Sequence, residues 1–155
     1  MNKFITAPFN HKMIKIVAFF TLFLCSCGAN KAMHTDSSFN TIYSSAYGGA
    51  NIVSFVHITN NNDYIKFIET LHIDVVAYSK LINVNFKENT VIVLNQGTKN
   101  SGGYAVNVES VRWEDEILVV VKKEMFPKKG EQVTNALSAP YCIAVIPNAK
   151  HVKVP

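Results

Sequence analysis

The sequence predicts an α+β domain made mainly of antiparallel β-sheet, curled or sandwich-like, with one helix near residues 62–72. Three observations lead there. The stretch "NNNDYIKFIETLH" repeats its apolar residues at helical spacing. After "KENT" the chain runs through "TVIVLNQ", "GYAVNVESVRW", "ILVVVKKEMF" and "YCIAVIP", short runs rich in β-branched and aromatic residues separated by turn signals. Finally, 48% of the 155 residues are hydrophobic, enough for one core, and no internal repeat divides them.

The elements follow in chain order. "HKMIKIVAFFTLFLCSCGAN" sets Lys12 and Lys15 before an apolar run from Ile16 to Leu24. A bilayer span needs about 20 apolar residues, so this run is too short to cross and fits the core of a signal peptide. It resembles the leader of bacterial lipoproteins, in which a cysteine is acylated and becomes the mature N-terminus. Cys27 suits that role, with Leu24 three positions before it and the small Ser26 immediately before; Cys25 would have Leu24 at the position where a small residue is wanted. Residues 1–26 are therefore expected to be a lipoprotein signal peptide, whether translation starts at Met1 or Met13, and an uncleaved N-terminal anchor is the alternative. Residues 27–40 are expected to be a flexible tether, since "GANKAMHTDSSFN" is polar and without period. A single β-rich domain is expected over 41–155.

Within that domain "TIYSSAY" and "NIVSFVHI" read as strands, with Gly48-Gly49-Ala50-Asn51 as the turn between them. Both faces of the second run are largely apolar, which predicts cover on both sides. Asn60 to Asp63 can cap the helix that follows. "IDVVAYSKLINVNF" could extend the helix or form a strand and loop. In "GYAVNVESVRW" Tyr104, Val106 and Val108 share one face, whereas Val111 and Trp113 are out of step with them, so a bulge is predicted between 108 and 111. "EDE" at 114–116 makes a turn, "PKKGEQVTNALSAP" is a long connection, "YCIAVIP" is a buried strand and "HVKV" an edge. Short reversals between the strands predict antiparallel pairing.

Charge excludes one class of function. The net charge of +4 includes Lys3, Lys12 and Lys15, all before residue 25, where no acidic residue lies; without them it falls to +1. No basic stripe with interleaved aromatics remains, so a nucleic-acid partner is not expected. Cleavage before Cys27 would leave Cys142 as the one free thiol, placed in the apolar run "YCIAVI", where it is expected to pack as a small hydrophobe.

The glycine-rich stretch "NQGTKNSGGYAV" is the main candidate for chemistry, and it fails each test. A phosphate loop needs Gly-Lys-Ser/Thr opening a helix, but Gly103-Tyr104 stand there and a strand follows. A nucleophile turn needs Gly-x-Ser-x-Gly before a helix, and Ser101 lies between Asn100 and Gly102. A hairpin loop over Gly97–Gly103, joining Val91–Gln96 to Tyr104–Val108, accounts for the glycines through positive φ. The side chains of Ser101 and Lys99 are then expected in solvent. His34, His57, His72 and His151 show no metal spacing, and there is no Cys-x-x-Cys. The acids of "WEDE" read as a solvated tip. No catalytic residue, metal site or cofactor is expected.

The segment 84–150 carries Val84-Asn85-Phe86, a strand ending in Gly97, Gly102-Gly103-Tyr104 opening the next strand, a Pro127-to-Gly130 loop, and Pro140-Tyr141 starting the last strand. In this order and spacing it resembles the C-terminal domain of the protease complex subunit PrcB family. Asn85 stands where the family has aspartate, and Asn135 where glutamine is common. The resemblance implies a non-peptidase accessory subunit of an envelope protease complex, often a lipoprotein, with no catalytic residues to carry over. The expected function is thus a lipid-anchored, non-catalytic interaction module of the cell envelope whose partner is another envelope protein such as a protease. "GANKAM" after Cys27 holds no acidic run, so the expected location is the outer membrane, facing the periplasm. A small-molecule or glycan-binding envelope domain using Tyr43, Tyr47, Tyr78 and Tyr104 is the alternative, and a hydrolase the third.

Overall fold

The computed structural model describes residues 35–71 and 73–155. The leader, Cys27, His34, most of the tether and His72 lie outside them. Among the described residues the strands are β1 (Thr35–Asp36), β2 (Asn40–Ser45), β3 (Val53–Ile58), β4 (Asn89–Gln96), β5 (Ala105–Glu114), β6 (Ile117–Met125), β7 (Tyr141–Pro147) and β8 (His151–Lys153), and the helices are α1 (Asn61–Thr70) and α2 (Val75–Leu81). The strands form two four-stranded sheets. One has the order β1-β5-β6-β8, with only the β6–β8 pair parallel; the other, β2-β7-β4-β3, is antiparallel throughout. The fold is α+β, and sandwich-like as the sequence predicted.

Alternation along β4 and β7 creates three layers. Ile92 and Leu94 of β4, with Cys142, Ala144 and Ile146 of β7, face the other sheet and meet Val106, Val108, Val111, Leu118 and Val120 there. Val91, Val93, Tyr141 and Ile143 point the opposite way, onto Tyr64 and Ile68 of α1 and Leu81 of α2. The two central strands are thus covered on both faces, which is why "TVIVLNQ" and "YCIAVI" are apolar without alternation. Each fully buried Ile or Leu stabilises the fold by roughly 1.5–3 kcal/mol.

Several expectations are corrected. The sequence predicted one helix near residues 62–72, and the described residues hold two. Leu71 leaves the helical region at φ −85, ψ 120, and Asp74 opens a new helix, its carboxylate accepting from the Ala77 amide at 2.9 Å. The sandwich takes in residues before Thr41: β1 pairs with β5, the Ser37 amide donates to Val111 O at 2.8 Å, and Phe39 packs against the sandwich core. Those last residues of the expected tether are sheet margin. Nor is β3 covered on both sides. It is an outer strand, and Val53, Phe55 and Val56 are 59%, 43% and 43% exposed.

The hairpin over Gly97–Gly103 is the largest correction. β4 pairs with β3 and β7, whereas β5 lies in the opposite sheet between β1 and β6. The loop is a crossover between sheets. The β5–β6 hairpin does form, turning at Asp115 with φ 55, in the left-handed region that aspartate tolerates. The bulge predicted between 108 and 111 is present, as a register shift between Val108 and Ser110 against β6. Arg112 holds Glu114 at 2.9 Å, so this acid of the tip already has a cation; the pair is about one-third exposed and contributes about 0–1 kcal/mol.

Candidate functional site: the loop end of the sandwich

β4 ends, β5 begins, β6 ends and β7 begins at one end of the sandwich, so the motif residues scattered from Gly97 to Tyr141 meet there. Gly97, at φ +75, lets β4 turn beneath the start of β3, since a Cβ would lie 3.1 Å from Val53 N. The next segment then crosses to the 126–140 connection. Lys99 and Ser138 exchange backbone hydrogen bonds of 2.8 and 3.0 Å, the Gly102 amide donates to Thr134 O at 2.9 Å, and the Ser138 hydroxyl donates to Ser101 O at 2.7 Å.

The glycine pair is required by this contact. A Cβ on Gly102 would collide with the Thr134 hydroxyl. One on Gly103, at φ +86, would meet Val133 Cγ1 at 2.8 Å and Pro127 Cβ at 3.0 Å. The Gly-Gly-Tyr and Pro-x-x-Gly motifs therefore pack directly on each other. In the second, the Glu131 amide donates to Lys128 O at 3.0 Å and the Lys128 amide to Glu131 Oε2 at 2.7 Å. Gly130 at φ +84 supplies the positive φ that a type II turn needs at its third position. Pro140 O accepts from the Gln96 amide at 2.9 Å, and Tyr141 is buried on the helix side.

What this end presents to solvent is apolar with a basic rim. Tyr104 and Phe126 pack edge to face, with ring centroids 6.1 Å apart, and Lys99 Nζ lies 5.7 Å from the Tyr104 centroid. Phe126 is 60% exposed and Leu137 69%, and Lys128 and Lys129 are exposed on the Pro127–Gly130 loop that follows Phe126. Ser101 and Lys99 were expected in solvent; both are half-buried, the Ser101 hydroxyl donating to Gly102 O at 3.2 Å. Sequence reasoning passed over Phe126 and Leu137, which look like ordinary members of a strand end and a loop. Their exposure depends on the crossover.

The other candidates are dispersed. His57 Nε2 is 3.1 Å from Thr90 Oγ1 on β4, and burial lowers its pKa below the ordinary value. His151 lies on the exposed edge strand β8. Cys142 is fully buried, and burial pushes its thiol up to about 11, far from thiolate reactivity. The four tyrosines proposed as a glycan platform do not assemble: Tyr43 and Tyr47 line one cleft, Tyr78 packs in the helix-side core and Tyr104 is at the loop end.

No curated protein and no solved structure matches this chain. The family model described as PrcB C-terminal matches residues 90–147, from the start of β4 to the end of β7 and so across the whole loop end, somewhat more than a third of the chain. That stretch is similar to the PrcB C-terminal domain, in keeping with the resemblance carried by the motifs from Gly97 to Tyr141.

Proposed function

We propose that the protein is a non-catalytic lipoprotein of the bacterial cell envelope that acts as a protein-interaction module, an accessory or regulator of a protease complex. One observation carries this reading. The family's own motif residues build a rigid, interlocked loop end whose outward surface is aromatic and aliphatic with lysines around it. Exposed aromatics on a braced scaffold are what protein recognition uses, and a lysine rim steers an acidic partner toward them. The lipid anchor on Cys27 and the periplasm-facing location belong to the same proposal.

The test is affinity isolation of the full-length lipidated chain from its own envelope, followed by a peptidase assay on the co-isolated material. Wild type is expected to bring down a peptidase. Phe126→Asp and Leu137→Asp should each lose it by about tenfold or more, with the melting temperature unchanged for the exposed Leu137 and only slightly lowered for Phe126, which gives up its edge-to-face contact with Tyr104. Retention of the peptidase by both variants, or peptidase activity in the purified protein alone, would overturn the proposal. Cys27→Ser should abolish acyl labelling and release the protein from the membrane, since stable anchoring needs at least two acyl chains. Cys25→Ser should do neither, and an acyl group found on Cys25 by mass spectrometry would refute the assignment.

A further inference from the structure

β2 is an outer strand of its sheet, and among the described residues nothing pairs with its free side. One hollow borders that side, and a second, on the helix-side face where it also touches Tyr141 of β7, shares Tyr43 with it. The first, about 440 Å³, lies between the consecutive residues Thr41 to Ser44 of β2 and Asp74, Val76 and Ala77 of α2. The second, about 320 Å³, continues past Tyr47 toward Leu71 and Ile73. Both fall in the range of about 300–1,000 Å³ typical of ligand clefts. β2 spans six residues, about 20 Å at 3.3 Å per residue, so the length matches an extended segment of similar size.

We propose that this cleft takes an extended peptide of another protein, added as a strand on β2, with a basic side chain of that peptide opposite Asp74. The free strand edge supplies main-chain hydrogen bonds, and the cleft wall supplies side-chain contacts, the two parts of strand addition. Tyr43 and Ile73 are half-buried and Val76 is 67% exposed, so alternate apolar side chains of the incoming strand find apolar surface. Among the described side chains lining either hollow Asp74 is the one that carries a charge, and it gives the preferred peptide its sign. The register shift between Thr41 and Tyr43 places both Ile42 and Tyr43 toward the helix layer, widening the apolar wall. A second copy of the chain is a poorer occupant. Two-fold pairing of β2 with its mate would bring two helix layers and both Asp74 carboxylates to one seam. The inference does not depend on the loop-end surface, which lies on other elements.

The experiment is fluorescence anisotropy of the full-length chain with labelled, amidated hexapeptides that alternate valine and threonine and carry a central lysine or a central glutamate. Saturable binding of the lysine peptide is expected, tighter than the glutamate peptide by about fivefold, the scale of a screened surface charge pair. Asp74→Asn keeps a good helix cap and removes the charge, so it should make the two peptides equal while leaving the melting temperature near wild type. Val76→Lys, at an exposed helix position, should weaken the lysine peptide by about tenfold or more, and N-methylation of alternate peptide amides should do the same. Val53→Lys, on the other free edge, should change nothing. Absence of saturable binding, equal binding of the N-methylated peptide, loss in Val53→Lys instead of Val76→Lys, or a dimer in sedimentation that Val76→Lys dissolves would each overturn the proposal.

Discussion

Replacing Gly103 with valine is expected to destabilise the domain by about 3 kcal/mol or more, read as a lowered denaturant midpoint at constant slope. Two costs add. At φ +86 an L-residue loses about 1–2 kcal/mol, and a β-branched side chain stands at the upper end. The new Cβ would also press on Val133 and Pro127 at 2.8 and 3.0 Å, and overpacking of this kind costs about 1–3 kcal/mol. Pro127 is a rigid ring, so the strain falls on the contact between the two motif loops.

Gly102→Val should cost less, because Gly102 is not at positive φ and the obstructing Thr134 hydroxyl can rotate. Ser101→Ala should stay within about 0.5 kcal/mol of wild type. Lys99→Ala loses its place over Tyr104 and should cost about 0.5–1 kcal/mol. A Gly103→Val protein with an unchanged midpoint would mean that the two loops do not press together as described.

The same glycines show how far the sequence could be read. The need for positive φ was legible, because few other residue types serve a chain reversal, and it holds at Gly97 and Gly103 but not at Gly102. Their partner was not. A run that leaves one strand and enters another looks alike whether the two strands pair or lie in opposite sheets, since alternation fixes a strand's faces and not its neighbours. The difference between β4, apolar on both faces, and β5, alternating from Tyr104 to Val108, did hint that the two occupy different layers. β3 misled in the other direction: its apolar faces suggested burial, yet it is an open edge with no lysine, proline or bulge to guard it. The start of α2 was also available, in an aspartate followed by "VVAYSKL". The exposed Val75 and Val76 obscured the helical period there, because two apolar residues on the solvent side flatten it.

The second large effect is expected at Tyr64. Its ring is fully buried on α1, packed at 5.4 Å against Phe86, and its hydroxyl donates to Leu81 O at the last residue of α2, 2.9 Å away. One side chain thus joins both helices, and through the buried cluster it shares with Val91 and Ile143 it holds them to the sheet. Tyr64→Ala is expected to cost about 4 kcal/mol, in the range for deleting a buried aromatic, and to melt the helix layer ahead of the sandwich in hydrogen exchange. Tyr64→Phe keeps the ring and removes the hydroxyl, leaving Leu81 O without this donor, for about 1–2 kcal/mol. The pair of variants separates packing from hydrogen bonding. Alkali gives an independent readout. Burial raises the Tyr64 pKa from 10.0 to about 12, so the folded state holds its proton where the unfolded chain has released it. That contribution is complete below pH 10 and is lost as pH climbs from there toward about 12. Tyr64→Phe should therefore flatten, in part, the fall of stability with rising pH; Tyr141, raised in the same direction by burial, accounts for further slope that remains. A Tyr64→Phe protein with wild-type stability and an unaltered alkaline slope would show that the hydroxyl does not bridge the two helices.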